Sequence, residues 1–346
     1  MSPPAAPPAS ASDTLNPPDP EAVARFAADL NRLFAEAAGE SLSAGATIAL
    51  AVSGGADSMA MLLLAAAAFP GRVAAATVDH GLRPEAADEA ALVAAVCAQL
   101  GVPHATLAPP APITGNSVQK GAREARYAAL AAWMEATGAS ALLTAHHADD
   151  QAETLLMRLN RASGVAGLSG IRPWRFEGEH PVLRPLLAWR RRDLRTIAAA
   201  ARVPLVEDPS NTDPRHDRTR FRELLAGQAL LDPAALARSA AYLGEAEAAL
   251  DALAETLRTE RWSPGKGLLR AAGLPREIQR RLVRAAITEL RSASGIATPA
   301  FSDSANIEAL LDALTAGKAA TQAGVLASPG RDGHWHFAPA PPRRSL

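Results

Sequence analysis

Ala46-Thr-Ile-Ala-Leu-Ala-Val-Ser-Gly-Gly-Ala-Asp-Ser-Met-Ala-Met-Leu-Leu-Leu64 reads as a buried strand, a glycine turn and a helix. Thr47 to Val52 is an uninterrupted apolar run of strand length containing β-branched residues, the pattern of a strand covered on both faces. Ser53-Gly54-Gly55-Ala56-Asp57-Ser58 interrupts it. Two adjacent glycines let the backbone adopt positive φ and approach a ligand closely. Asp57 or Ser58 is placed to cap the helix that carries Met59 to Ala68. Backbone N–H groups at such a helix start can receive a phosphate or pyrophosphate.

The loop is not a Walker A sequence, because Asp57 stands where the lysine before Ser/Thr belongs, and it is not a G-x-G-x-x-G dinucleotide fingerprint. An acid inside a phosphate loop makes chemical sense when a divalent cation bridges it to the phosphates. Gly-Gly alone would mark only a tight turn, but Ser-Gly-Gly-x-Asp-Ser after a buried strand points to a phosphate site.

Outward from this stretch, strands alternate with helices. Strand 72–78 ends in Asp79-His80-Gly81-Leu82-Arg83, and helix 85–100 follows with acids in its first turns. Strand 102–107, helix 117–137 with Arg123, Arg126 and Tyr127, and strand 141–145 come next. His146-His147-Ala148-Asp149-Asp150 then opens a helix to about Leu159. The alternation predicts a parallel sheet covered on both faces, with ligands beyond the C-terminal strand ends. The polar clusters at 53–58, 79–83 and 146–153 all fall at such ends.

Residues 1–20, rich in Pro, Ala and Ser, read as a disordered tail, and helix 20–38 presents Val23, Phe26, Leu30, Leu33 and Phe34 on one face. Residues 160–222 read as irregular apart from the apolar Val182–Leu187 and helix 190–201. A boundary near Leu231 separates a catalytic domain over 21–231 from a mainly helical domain over 232–346, which begins with a long alanine-rich helix broken at Pro264-Gly265. Helices 275–291 and 304–316 follow, then a β-like tail with Trp335 and Phe337.

The 346 residues carry a formal charge of −1, and that value alone selects no partner. Its distribution is more telling. Residues 158–222 hold 14 Arg, no Lys and 7 acids, so an arginine-rich segment sits on an otherwise acidic chain. Such a segment suits a polyanion, or is a solvated face with internal ion pairs. The single cysteine, Cys97, lies in an apolar helical stretch and reads as a core residue, excluding an internal disulfide. No stretch has the length and apolarity of a membrane span, and the N-terminus lacks a basic segment followed by an apolar one, so a cytoplasmic protein is expected.

Asp150 and Glu153 lie at i and i+3 on one helix face. Such a pair can hold a metal or a ligand ammonium; equally, acids in a first turn simply favour the helix dipole. His146 and His147 lack the further ligands of a zinc site and are read as neutral imidazoles touching a nucleotide or packing. Asp208-Pro209-Ser210-Asn211 reads as a turn. The alternation of Arg218, Arg220 and Arg222 suggests an extended or irregular face rather than one helical stripe, with guanidiniums suited to phosphate.

Ser53–Ser58 resembles the PP-loop of the N-type ATP pyrophosphatases, which cleave ATP between its α and β phosphates. Val78–Pro84, Ala122–Tyr127, Thr144–Thr154, Arg161–Gly164, Arg184–Leu187 and Glu207–Asn211 with Arg218 and Arg222 follow in order. The series, over roughly 46–225, resembles the tRNA(Ile)-lysidine synthetases. That resemblance implies an α/β PP-loop domain of the adenine nucleotide alpha hydrolase-like kind, followed by a mostly helical domain. It implies a carbon–nitrogen ligase that adenylates the wobble cytidine of a CAU-anticodon tRNA(Ile) with ATP and then joins free L-lysine to C2, releasing AMP. By the resemblance, Ser53, Gly54, Gly55, Ala56, Asp57, Ser58, Asp79, His80 and His146 contact ATP, and Asp57 places Mg²⁺. Asp149, Asp150 and Glu153 bind lysine. Asp57, Asp150, Glu153 and Arg218 are the catalytic set, and Arg123, Arg126, Arg161, Arg184, Arg220 and Arg222 meet tRNA. A homodimer is the assembly considered.

Three departures stand out. Ala162 replaces a glycine common in the family, Thr219 replaces its usual asparagine, and the chain is short past 231 beside members with an additional C-terminal domain. A PP-loop tRNA thiolase generally needs paired cysteines, which the chain lacks, and a glutamine-dependent synthetase needs room for a glutaminase domain. A non-catalytic RNA-binding module would not need the phosphate loop and carboxylates intact.

Overall fold

The computed structural model describes residues 15–79, 81, 85–109, 118–206, 217–302, 305–330 and 333–341. The chain divides into two compact units, residues 1–244 and 245–346. The division falls inside a long helix rather than at Leu231, because the helix start packs with the first unit: Ala237 and Ala240 are buried there.

In the first unit, α1 (Pro20–Ala38) is capped by Asp19, whose carboxylate accepts from the Ala22 N–H, and it buries Phe26, Leu30, Leu33 and Phe34. Residues 15–19, expected in the tail, are tied down: Leu15 packs on the core and the Asn16 side chain donates to the Ala200 carbonyl. The sheet strands are β1 (Ile48–Ala51), β2 (Val73–Val78), β3 (His104–Leu107), β4 (Ala141–Leu143), β5 (Trp174–Glu177) and β6 (His180–Leu183). Between and after them run α2 (Ala56–Ala68), α3 (Ala86–Gln99), α4 (Val118–Thr137), α5 (Ala148–Leu159), the single turn α6 (Val165–Leu168), α7 (Arg191–Ala200) and α8 (Asp217–Gly227).

The strand order is β3-β2-β1-β4-β6-β5. All pairings are parallel except β5–β6, an antiparallel hairpin that adds an edge within a region the sequence presents as irregular. Helix α2 is apolar all round because it is buried all round, Met59 through Ala65 being almost wholly inaccessible. Each of its leucines and methionines contributes about 1.5–3 kcal/mol by leaving water. This buried helix fixes the loop that precedes it. The chain builds outward from β1 through β2 to β3, then returns to place β4 on the other flank of β1. A topological switch point therefore lies between β1 and β4, where ligands of open α/β sheets sit.

Helix α9 (Pro233–Arg261) starts after Asp232, whose carboxylate accepts from the Ala234 and Ala235 N–H groups. The second unit holds the end of α9, α10 (Arg276–Ala293) and α11 (Glu308–Thr315). Its sheet runs β7-β8-β11-β10-β9, from β7 (Trp262–Ser263), β8 (Leu268–Leu269), β9 (Ala320–Gln322), β10 (Val325–Pro329) and β11 (Trp335–Pro339). The expected helices are present, and the β-like tail becomes three strands of this sheet. Pro264-Gly265 lies in the 3-10 turn that joins β7 to β8. Trp262 and Phe337 meet edge to face at 5.9 Å over a core shared with α10 and α11.

Candidate active site

The loop after β1 closes on itself through Ser58. The Ser58 hydroxyl donates to the Gly55 carbonyl at 2.9 Å and accepts from the Ser53 N–H at 3.1 Å, with the Ser53 hydroxyl 3.2 Å away. Gly55, not Asp57 or Ser58, is the residue preceding α2, and no side chain caps that helix. The first N–H groups of α2 are thus left for a ligand. Gly54 is required twice over. Its φ is +83°, and a Cβ there would lie 2.6 Å from Val206 Cγ2. Its carbonyl accepts from the Val206 N–H at 2.9 Å, which pins the loop to the segment after α7.

Asp57, in the first turn of α2, turns one carboxylate oxygen towards His147 Nε2 at 3.3 Å. Its other oxygen, Oδ1, is buried and has no hydrogen-bond partner among the described residues. Asp79 follows β2; its backbone N–H donates to Leu107, and its carboxylate accepts from the Gly81 N–H at 2.8 Å. His80, Arg83, Arg215 and the turn 208–211 lie outside the described residues.

Helix α5 begins at the end of β4 with His147 as its N-cap. The Asp150 N–H donates to His147 Nδ1 at 3.2 Å, and the His147 N–H donates to Asp150 Oδ2 at 3.0 Å, a reciprocal capping box. Burial pushes the His147 imidazole down. The hydrogen bond to Asp57 and the charges of Asp150, Asp57 and Asp149 outweigh it and leave the ring above its ordinary value. Its neighbour behaves oppositely. Burial, opposed by Asp150 but reinforced by Arg184, Arg218 and Arg123, drives His146 down to about 3, so His146 is neutral, with Nδ1 3.0 Å from the Thr144 hydroxyl.

Asp150 and Glu153 converge on one cluster. Glu153 is 1% exposed and accepts from Arg218 Nε at 2.6 Å and Arg222 Nε at 2.9 Å. Arg218 also donates to Asp150 Oδ1 at 2.5 Å. Burial raises the Asp150 carboxyl, but His147, Arg218 and His146 more than offset it and hold it below the ordinary range. A buried carboxylate pair persists as anions only with such partners. Asp149 points elsewhere: Arg190 and the Arg191 N–H occupy its oxygens at 2.8–3.3 Å. It joins α5 to α7 and stands apart from the Asp150–Glu153 pair.

The arginines sort by exposure. Arg218, Arg220 and Arg222 lie on α8, which corrects the expectation of an extended or irregular face: 218 and 222, one turn apart, face Glu153, while Arg220 faces solvent. Arg161 pairs with Asp217 at 2.8 Å on the surface. Arg184, expected to meet tRNA, is 3% exposed and donates to the Arg172 carbonyl, so its guanidinium is not a surface contact. It borders Tyr127, over whose ring Arg123 and Arg175 stack at 5.2 and 4.3 Å. Arg126, on the same helix, is half-buried. Cys97 is buried, which pushes its thiol up to about 12 and leaves it no nucleophilic character.

Two residues of this site carry little signal in the sequence. The sequence presents His147 only as an imidazole that packs or touches a nucleotide. Arg191, at the start of α7, has a buried Nε without a hydrogen-bond partner among the described residues, and the charges of Arg222, Asp57 and Glu153 all act on it. The signal available for Arg191 was its place in an arginine run after the Arg184–Leu187 motif.

A PP-loop domain family matches residues 23–229. A protein of Novosphingobium aromaticivorans named tRNA(Ile)-lysidine synthase is 42% identical over 317 residues, covering 88% of this chain and 93% of that one. The protein of the same name from Zymomonas mobilis is 41% identical, covering 90% and 95%. That of Rhodopseudomonas palustris is 39% identical, covering 94% and 98%.

Proposed function

The chain belongs to the tRNA(Ile)-lysidine synthase family of PP-loop enzymes, and on that premise we propose how its site works. The enzyme is a ligase that uses ATP. Its RNA substrate is a tRNA(Ile) with a CAU anticodon, and its second substrate is free L-lysine. The product carries lysine on C2 of the wobble cytidine, which changes both the codon read and the amino acid accepted.

In the first step the cytosine O2 attacks the α-phosphorus of ATP. The P–O bond to the β phosphate breaks, and pyrophosphate leaves. The open N–H groups of α2 and the 53–58 loop receive that anion. Asp57 suits Mg²⁺: one oxygen is buried without a partner, beside a loop built for phosphate. A magnesium site typically takes one or two carboxylates and completes its shell with phosphate oxygens and water. Bound there, the ion supplies charge neutralisation on the phosphates.

In the second step the lysine ε-amine attacks C2, and the bond from C2 to the adenylate oxygen breaks, releasing AMP. The amine arrives as an ammonium and must lose a proton first. Asp150 and Glu153 receive it. Their present partner, Arg218, is a cation that an ammonium can replace. With Arg218 displaced, Asp150 is relieved of one of the cations that hold its carboxyl low and can take the amine's proton, while Glu153 keeps Arg222 at 2.9 Å. The freed Arg218 can then face the adenylate phosphate. Asp149 serves by holding α5 against α7, and exposed Arg161 and Arg220 contact tRNA phosphates.

The observation that supports this reading most is the pairing of an uncapped anion loop, with its unpartnered Asp57 oxygen, and a buried Asp150–Glu153 pair across the switch point. Asp57→Ala is expected to abolish pyrophosphate release from ATP in the presence of the tRNA transcript, by at least ~100-fold, the order found when a single charge-stabilising group is removed. Release at the normal rate would remove Asp57 from the adenylation step.

A further inference from the structure

We propose that His147 is a positioning residue that holds the phosphate loop and the lysine-binding carboxylate in register, presenting Asp57 to the divalent cation and Asp150 to the amine. The inference rests on the function proposed above, since it takes those two acids as its clients.

The His147 ring is 3% exposed. The Asp150 N–H donates to Nδ1, so Nδ1 carries the lone pair and the ring proton resides on Nε2. Nε2 lies 3.3 Å from Asp57 Oδ2 and 3.6 Å from Asp150 Oδ2. One N–H therefore stands between two carboxylates that belong to different strand ends. It fixes which Asp57 oxygen is turned inward, and the other, Oδ1, is the buried atom left without a partner among the described residues. The same residue also receives Asp150 through the capping box.

Histidine is an unusual choice for this position. Ser, Thr, Asp and Asn cap helices best, and each does so with one short oxygen. The imidazole makes the same cap with its near nitrogen and has a second donor beyond. β1 and β4 are adjacent strands, whose spacing is about 4.8 Å. A side chain that caps the helix after β4 and still reaches the loop after β1 must span that gap, and the ring does. The second donor has no bearing on helix capping, so its contact to Asp57 is the feature that a purely structural role leaves unaccounted for.

Two substitutions divide the two halves of the ring. His147→Asn retains an oxygen where Nδ1 stands and removes the donor to Asp57. His147→Gln can place a donor near the Nε2 position and loses the short cap. Binding of ATP to the full-length protein is measured with and without Mn²⁺ as a spin probe, beside the thermal midpoint. The Asn variant is expected to keep its midpoint within ~2 °C of the parent, since its cap survives. It is also expected to bind Mn²⁺·ATP ~10-fold more weakly, with metal-free ATP binding unchanged. The Gln variant is expected to melt lower and to bind Mn²⁺·ATP within ~3-fold of the parent. Parent-like Mn²⁺·ATP binding by the Asn variant would overturn the proposal. So would loss of midpoint and binding together in both variants, the mark of a merely structural residue. If the parent binds Mn²⁺·ATP but transfers no lysine to tRNA, the functional reading fails, while the positioning of Asp57 stands on its own result.

Discussion

Ala162 carries a φ of +51°, in the left-handed region that glycine enters without steric cost. An L-residue there loses about 1–2 kcal/mol relative to the right-handed form. Ala162→Gly removes that strain, although glycine also loosens the unfolded chain. A net gain of ~0.5 kcal/mol in urea unfolding is expected, and a loss would show that the alanine methyl makes contacts that outweigh the backbone. His146 sets a pH dependence. Its folded pKa of about 3 lies below the ordinary 6.5, so protons bind the unfolded chain first. The stability it protects is complete above pH 6.5 and falls as the pH drops towards 3. His146→Gln is expected to flatten that decline by ~2 kcal/mol between pH 6.5 and about 4.5, measured as unfolding free energy against pH. An unchanged slope would mean that the imidazole is protonated in the folded protein.

At the scale of elements, α8 decides how the arginines divide. Arg218 and Arg222 face the buried carboxylates, and Arg220, between them, faces water. Arg220→Ala is therefore expected to weaken tRNA binding and to reduce its salt dependence by about one counterion, leaving lysine affinity alone. A change in lysine affinity instead would place Arg220 in the carboxylate cluster. The alternation of charged and neutral residues at 218–222 imitates strand periodicity, which is why the helix was not legible: burial of one charged face against Glu153, rather than an apolar stripe, holds it. The β5–β6 hairpin was hidden for a related reason. Its Trp174–Glu177 strand lies at the sheet edge and carries Arg175 and Glu177, so it lacks the apolar run that marked β1. By contrast α1 is legible to its ends, because Asp19, Pro20 and Gly39 punctuate an apolar stripe.

Over the whole molecule, the alternation of strands and helices was enough to place the 53–58 loop, Asp79 and the 146–153 segment at the C-terminal strand ends of a parallel sheet. The strand order then brings the 53–58 loop and the 146–153 segment together across the switch between β1 and β4. What pattern could not supply is the pairing between them. Arg218 reaching Asp150 and Glu153, or His147 reaching Asp57, depends on rotamers and on distances across the fold. Neither leaves a local trace in the chain. The same limit applied to Asp149, which looks equivalent to Asp150 in sequence but is taken by Arg190 on α7. The second unit was legible as helices from their apolar spacing, while the short strands β7 and β8, of two residues each, gave no periodicity to read.

The central claim is that one site carries both adenylation of a tRNA cytidine and attack by lysine. The most direct measurement is transfer of labelled lysine to a CAU-anticodon tRNA(Ile) transcript with ATP and Mg²⁺, beside a methionine tRNA bearing the same anticodon. The account predicts lysine on the isoleucine tRNA alone, with one AMP and one pyrophosphate released for each lysine joined. Pyrophosphate release without any lysine on either RNA would contradict it, leaving the ATP chemistry with a different nucleophile.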